Sequence, residues 1–162
     1  MPAAISNTSP LVYLHRINAL ELLPQIFSSV WVPPQVVQEL DEGRRRGYDV
    51  LNPRVYSWLE IVAPEHMPAD WFALDLGVGE VAAMSLALEN PDRIVVLDDL
   101  LARRTAQAAG LQVWGTLRIL LAAKEAGLLS EIGPSVDHLQ STGMYISGEL
   151  RRRILELAEE KR

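Results

Sequence analysis

The sequence contains no cysteine. That absence excludes a disulfide scaffold, a thiol nucleophile, a cysteine-ligated zinc site and an iron–sulfur cluster together. Long apolar runs are missing too. No uncharged stretch approaches the roughly 20 residues a helix needs to cross a bilayer, and the N-terminal segment lacks the basic and apolar regions of a secretion signal. The expected location is the cytoplasm, with no membrane partner. Positive charge is scarce: 15 Lys and Arg stand against 21 Asp and Glu, a net charge of −6. This is the wrong sign for holding nucleic acid by bulk electrostatics, so any phosphate contact must come from local patches or bound metal. Lysine is nearly absent, with only Lys124 and Lys161. A phospho-acceptor site built on Asp98 and Asp99 would therefore lack the nearby lysine such sites normally use.

What is present describes one ordinary domain spanning residues 1–162: 49% of residues are hydrophobic and 22% charged, enough for a single core without staples. Short apolar runs at 3–5, 30–32, 61–62, 94–97 and 111–114 have the length and continuity of buried parallel strands. Helix patterns alternate with them. One runs from an Asn18 cap to Phe27, one from Pro34 toward Gly43, one over 79–88, and one from Asp99 to Ala109 closed by Gly110. Two more run from a Thr116 cap to Ala126 and over 147–160. Strands alternating with helices predict a three-layer α/β/α sandwich around a mostly parallel sheet.

In such a fold ligands bind beyond the carboxyl ends of the strands, so polar residues just after apolar runs carry the information. Ser6-Asn7-Thr8-Ser9 follows the first run, Asp98 and Asp99 follow the fourth, Glu39 lies one and a half turns into the helix after the second, and Glu80 opens the helix before the fourth. A parallel sheet brings all four places to one edge. Carboxylates clustered with few cations are unfavourable unless a divalent ion neutralises them, and hard oxygen ligands suit Mg²⁺ or Mn²⁺. Magnesium keeps several waters and commonly shares its shell with phosphate oxygens, which points to phosphate-ester chemistry. Each residue also has a purely local role open to it. Glu80 suits the first turn of a helix, Asp98 or Asp99 suits an N-cap, Glu39 sits beside Asp41 and Glu42 on a solvated helix end, and Asn7 suits a turn.

Other motifs are weaker. Gly77-Val-Gly79-Glu80 imitates part of a dinucleotide fingerprint, but no clean strand precedes it. His15, His66 and His138 are scattered, no Gly-x-Ser-x-Gly elbow exists, and Trp31, Trp58, Trp71 and Trp114 are too dispersed for a base-stacking platform.

Four ordered segments resemble the PIN-domain nucleases, and more narrowly their branch of predicted nucleic-acid-binding proteins related to VapC-type toxins. They are Ile5 to Leu11, Val32 to Leu40, Leu76 to Ala83 and Val95 to Arg103, with Ala109 to Leu117 and Ala122 to Leu128 continuing the likeness over roughly residues 3–158. The resemblance implies an acidic pocket that binds Mg²⁺ or Mn²⁺ and hydrolyses RNA. It places the family's four acidic positions on Asn7, Glu39, Glu80 and Asp99, with Asp98 adjacent. Two departures stand out: Asn7 replaces an aspartate, and Leu97 stands where a threonine is usual. An asparagine offers only a neutral carbonyl oxygen, so metal affinity should fall without vanishing. A small antitoxin protein as partner and a homodimer are further implications, the dimer being supported also by aromatic residues beyond the needs of a small core.

Against that background the dense basic groups gain interest. Arg44, Arg45 and Arg46, expected in a Gly-flanked loop soon after Glu39, are candidates for RNA contact, as is Arg103, which could equally pair with the acidic cluster. Arg151 to Arg153 sit among glutamates and read as a solvated helix face. The rival expectation is a binding module with the same fold, whose pocket is too weak to cleave.

Overall fold

In the computed structural model of the protein, which describes residues 1–161, five short strands form one parallel sheet. They are β1 (Ala4–Ser6), β2 (Val30–Val32), β3 (Leu59–Ile61), β4 (Ile94–Val96) and β5 (Gln112–Trp114), arranged β3-β2-β1-β4-β5. Period-two alternation sends Ala4, Val30, Val32, Ile94 and Val96 to one core and Ile5, Val95 and Leu97 to the other. Against the first core pack α1 (Thr8–Arg16), α2 (Leu22–Ile26), α3 (Pro34–Arg45), α7 (Thr116–Glu125), α8 (Gly133–Ser141) and α9 (Gly148–Leu157). Against the second pack α5 (Val78–Glu89) and α6 (Leu100–Ala108), through Ala83, Met84, Leu86, Ala87, Ala102 and Ala106. A short α4 (Ala69–Phe72) precedes α5. This is the α/β/α sandwich expected, with β2 and β4 apolar throughout because both faces are covered, and polar Glu60 and Gln112 on the edge strands β3 and β5.

The chain begins at the centre with β1, builds outward to β2 and β3, then crosses back to lay β4 and β5 on the other side. The order reverses between β1 and β4, the place where open parallel sheets leave a crevice. Ser6 pairs with Val96 across that boundary. Asn7 and Leu97 therefore leave the sheet side by side.

Several expectations are corrected. Asn18 does not open a helix: its φ of 58° places it in the left-handed region that asparagine tolerates. It closes α1, with Ala19 N donating to Leu14 O at 2.8 Å, and α2 begins only after Glu21. The strand expected at 61–62 begins two residues earlier, at Leu59, and ends at Ile61. Arg44, Arg45 and Arg46 are not in a loop, for they form the last turn and C-cap of α3, where the helix dipole favours cations. Thr116 is the first residue of α7 after the Gly115 N-cap, and its hydroxyl is used elsewhere.

Candidate metal centre and adjoining groove

Asn7 occupies the N-cap position of α1 with extended backbone, yet its side chain makes no capping bond. An N-cap oxygen ordinarily accepts from the second or third helical N–H. Here the third helical residue is Pro10, which has no N–H to give, and the N–H of Ser9, the second, is not bonded to it either. The side chain is 4% exposed, and Asn7 Oδ1 has no hydrogen-bond partner among the described residues. Buried polar oxygens are nearly always paired, so this one has room for a water or a cation as its partner.

Glu39, on α3, reaches the same spot. Its Oε1 accepts from Thr8 Oγ1 at 2.9 Å. A β-carbon built on Gly79 would overlap that oxygen, lie 2.9 Å from Glu39 Cδ and lie 3.4 Å from Asn7 Oδ1. Only glycine leaves room for the two side chains to meet over the start of α5. Glu80 is the next residue, and its Oε1 accepts from Gly77 N at 2.9 Å, fixing the carboxylate at the helix N-terminus. Asp99 caps α6 through Oδ2, which accepts from Ala102 N at 3.0 Å. Burial pushes the Glu39 carboxyl above its ordinary value, and the Thr8 bond pulls partly back. Glu80 is raised first by burial, opposed by the Gly77 N–H, and raised further by the charges of Asp99 and Glu39. Glu80 therefore lies within the fields of both Asp99 and Glu39.

The local roles of Glu80 and Asp99 are thus real, but each occupies one carboxylate oxygen. Among the described residues no three Asp, Glu or His side chains come close enough to enclose an ion alone. A cation here would need the Asn7 oxygen and water to complete its shell, a donor set that suits a hard ion such as Mg²⁺ or Mn²⁺. The N-termini of α1 and α5 offset part of the negative charge.

Asp98 is engaged differently. Both its oxygens face Thr116, Oδ1 accepting from the backbone N–H at 2.8 Å and Oδ2 from the hydroxyl at 2.6 Å. Burial drives its carboxyl upward against the Thr116 donors and the Arg103 charge. Arg103 Nη1 donates to Leu97 O at 3.3 Å. Together these groups clamp the end of β4 to the start of α7.

From the acidic pocket a groove of about 740 Å³ runs between α1 and α3, lined by Thr8, Tyr13, Arg16, Gln35, Glu39, Arg46 and Tyr48 among others. Arg44 is tied to Asp41 and to Leu51 O, and Arg45 to Glu42. Only Arg46 of the three lines the groove, while its Nε donates to Glu42 Oε1 at 3.0 Å. Sequence reading missed Arg16, whose Nε donates to Asp49 O at 3.0 Å, and missed Tyr13, Tyr48 and Gln35. The signal that could have found Tyr13 and Arg16 was the pair Leu11 and Leu14, three residues apart and buried, which marks α1 as a helix with one face to the core.

The PIN-domain family profile matches residues 3–160. The chain belongs to the PIN-domain family, whose members are generally metal-dependent nucleases. No curated protein and no solved structure matches it significantly.

Proposed function

We propose that the protein is a Mg²⁺- or Mn²⁺-dependent endoribonuclease, acting as the toxin of a toxin–antitoxin pair. The observation that carries this reading is the buried, partnerless Asn7 oxygen set beside Glu39 over Gly79. Asn7, Glu39, Glu80 and Asp99 would hold the cation. When bound, it supplies positive charge against the scissile phosphate and makes water a stronger acid. Thr8 fixes the Glu39 carboxylate, and the α5 N-terminus fixes Glu80. Both groups have raised proton affinity, which suits them to take the proton from an attacking water. Asp98 acts at one remove by holding the β4 end, and therefore Asp99, in place. Arg46 and Arg103 belong to this reading as RNA-facing cations, with Arg44 and Arg45 the weaker members because carboxylates already engage them.

Exposed apolar side chains near the pocket, Leu100 at 58% and Val78 at 54%, support a protein partner there, an antitoxin or a second copy. Hydrolysis of a mixed RNA pool, measured against Mg²⁺ and Mn²⁺ concentration, tests the enzyme reading. A second reading is a PIN-like binding module, favoured by the neutral Asn7 and by the capping duties of Glu80 and Asp99. RNA bound but uncleaved across all metals would establish it.

A further inference from the structure

Gln35 lies four residues before Glu39 on α3, so both side chains share one helix face about 6 Å apart along the axis. Each lines the groove. Gln35 Oε1 is buried without a partner, and with Asn7 Oδ1 it is one of the two such side-chain atoms among the described residues. Its Nε2 has only a weak acceptor, Met67 Sδ at 3.9 Å. A carboxamide whose donor and acceptor are both this poorly used has little to lose by turning. The terminal torsion of glutamine is broad, and rotation aims the amide along the groove without moving the backbone.

The same groove carries what a nucleotide needs around such an amide. Tyr48 is 59% exposed and lines the groove, so its ring is available to stack on a base, while Tyr13, packed partly against the core, adds apolar surface to the lining. Arg16 makes no ion pair among the described residues, its Nε bond going to a backbone carbonyl, which leaves its charge for phosphate. We propose that Gln35 is a base-reading residue, selecting adenine in the nucleotide next to the acidic pocket. A glutamine amide matches adenine in two-point pairing, its oxygen accepting from N6 and its nitrogen donating to N7. This rests on RNA being the ligand of the groove, not on its being cleaved.

The test is binding of single-stranded A₈, C₈ and U₈ RNA, followed by fluorescence anisotropy without metal, for the wild type, Gln35→Leu and Gln35→Glu. Thermal unfolding of each confirms the fold. The wild type binds A₈ about 10-fold more tightly than C₈ or U₈, and Gln35→Leu brings the three within about 3-fold of one another. Gln35→Glu turns the preference toward C₈, because a carboxylate accepts from cytosine N4 but cannot donate to adenine N7. A purely structural role for Gln35 would not reverse the order. Equal binding of the three by the wild type, absence of RNA binding, or an unchanged order in both variants overturns the proposal. Base-selective binding without cleavage at any metal would leave it standing while removing the nuclease reading. Cleavage whose base preference ignores Gln35 would do the opposite.

Discussion

The amide oxygen of Asn7 and the carboxylate of Glu39 share one small volume above Gly79. A β-carbon on that glycine would stand 3.4 Å from the first and 2.9 Å from Cδ of the second. In Gly79→Ala the helix gains up to about 1 kcal/mol in backbone entropy, which offsets the cost of pushing the end of Glu39 aside. The folding midpoint without metal should therefore stay close to wild type. Mn²⁺ should raise the midpoint of the wild type, and that shift should largely disappear in the variant. An undiminished Mn²⁺ shift in Gly79→Ala would mean that the ion sits elsewhere.

Thr116 supplies two donors to a buried Asp98. Thr116→Val removes the hydroxyl and should cost about 1–3 kcal/mol near neutral pH. The Asp98 carboxyl is already raised by burial, and losing a donor to its charged form raises it further. Below both folded values the carboxyl is protonated and no longer needs the bond, so the deficit of the variant shrinks as pH falls and is full above them. Chemical denaturation at a series of pH values checks the sign. A deficit that grows toward acid would refute the clamp.

Among the described residues Arg16 stands in the groove without a carboxylate partner, whereas Arg44 and Arg45 are engaged by Asp41 and Glu42. Arg16→Ala should weaken RNA binding evenly across sequences and lower the salt slope by about one ion, while Arg45→Ala should change neither. Equal losses in the two variants would contradict this assignment of roles.

The sheet was legible because strands buried on both faces must be apolar over their whole length, as Val30–Val32 and Ile94–Val96 are. The places of Asn7, Asp98 and Asp99 were legible because a parallel sheet gathers at one edge whatever follows its strands, here β1 and β4. What stayed hidden were features set by exceptions to local rules. Asn-Thr-Ser-Pro looks like a turn, and Pro10 is the reason the helix it opens was missed. That same proline withholds one of the two N–H groups that could have capped onto Asn7, and the other, on Ser9, makes no such bond. Asn18 has the chemistry of a cap at either end of a helix, and only the left-handed backbone shows which end it closes. The groove, and Gln35 within it, depends on how α1 leans on α3, which no spacing along a single segment reveals.

Asn7 carries the central claim, that its neutral oxygen and three nearby carboxylates make a working cation site. The decisive measurement is RNA hydrolysis as a function of Mg²⁺ and Mn²⁺ concentration for the wild type, Asn7→Asp and Asp99→Asn. Asn7→Asp adds a charged oxygen and should reach half-maximal rate at roughly tenfold less metal, the change that about 1.4 kcal/mol of extra attraction produces. Asp99→Asn keeps the α6 cap, since asparagine caps as well as aspartate, yet removes a charge and should abolish cleavage. Wild type and Asn7→Asp both inert at every metal concentration, with RNA still bound, would contradict the account.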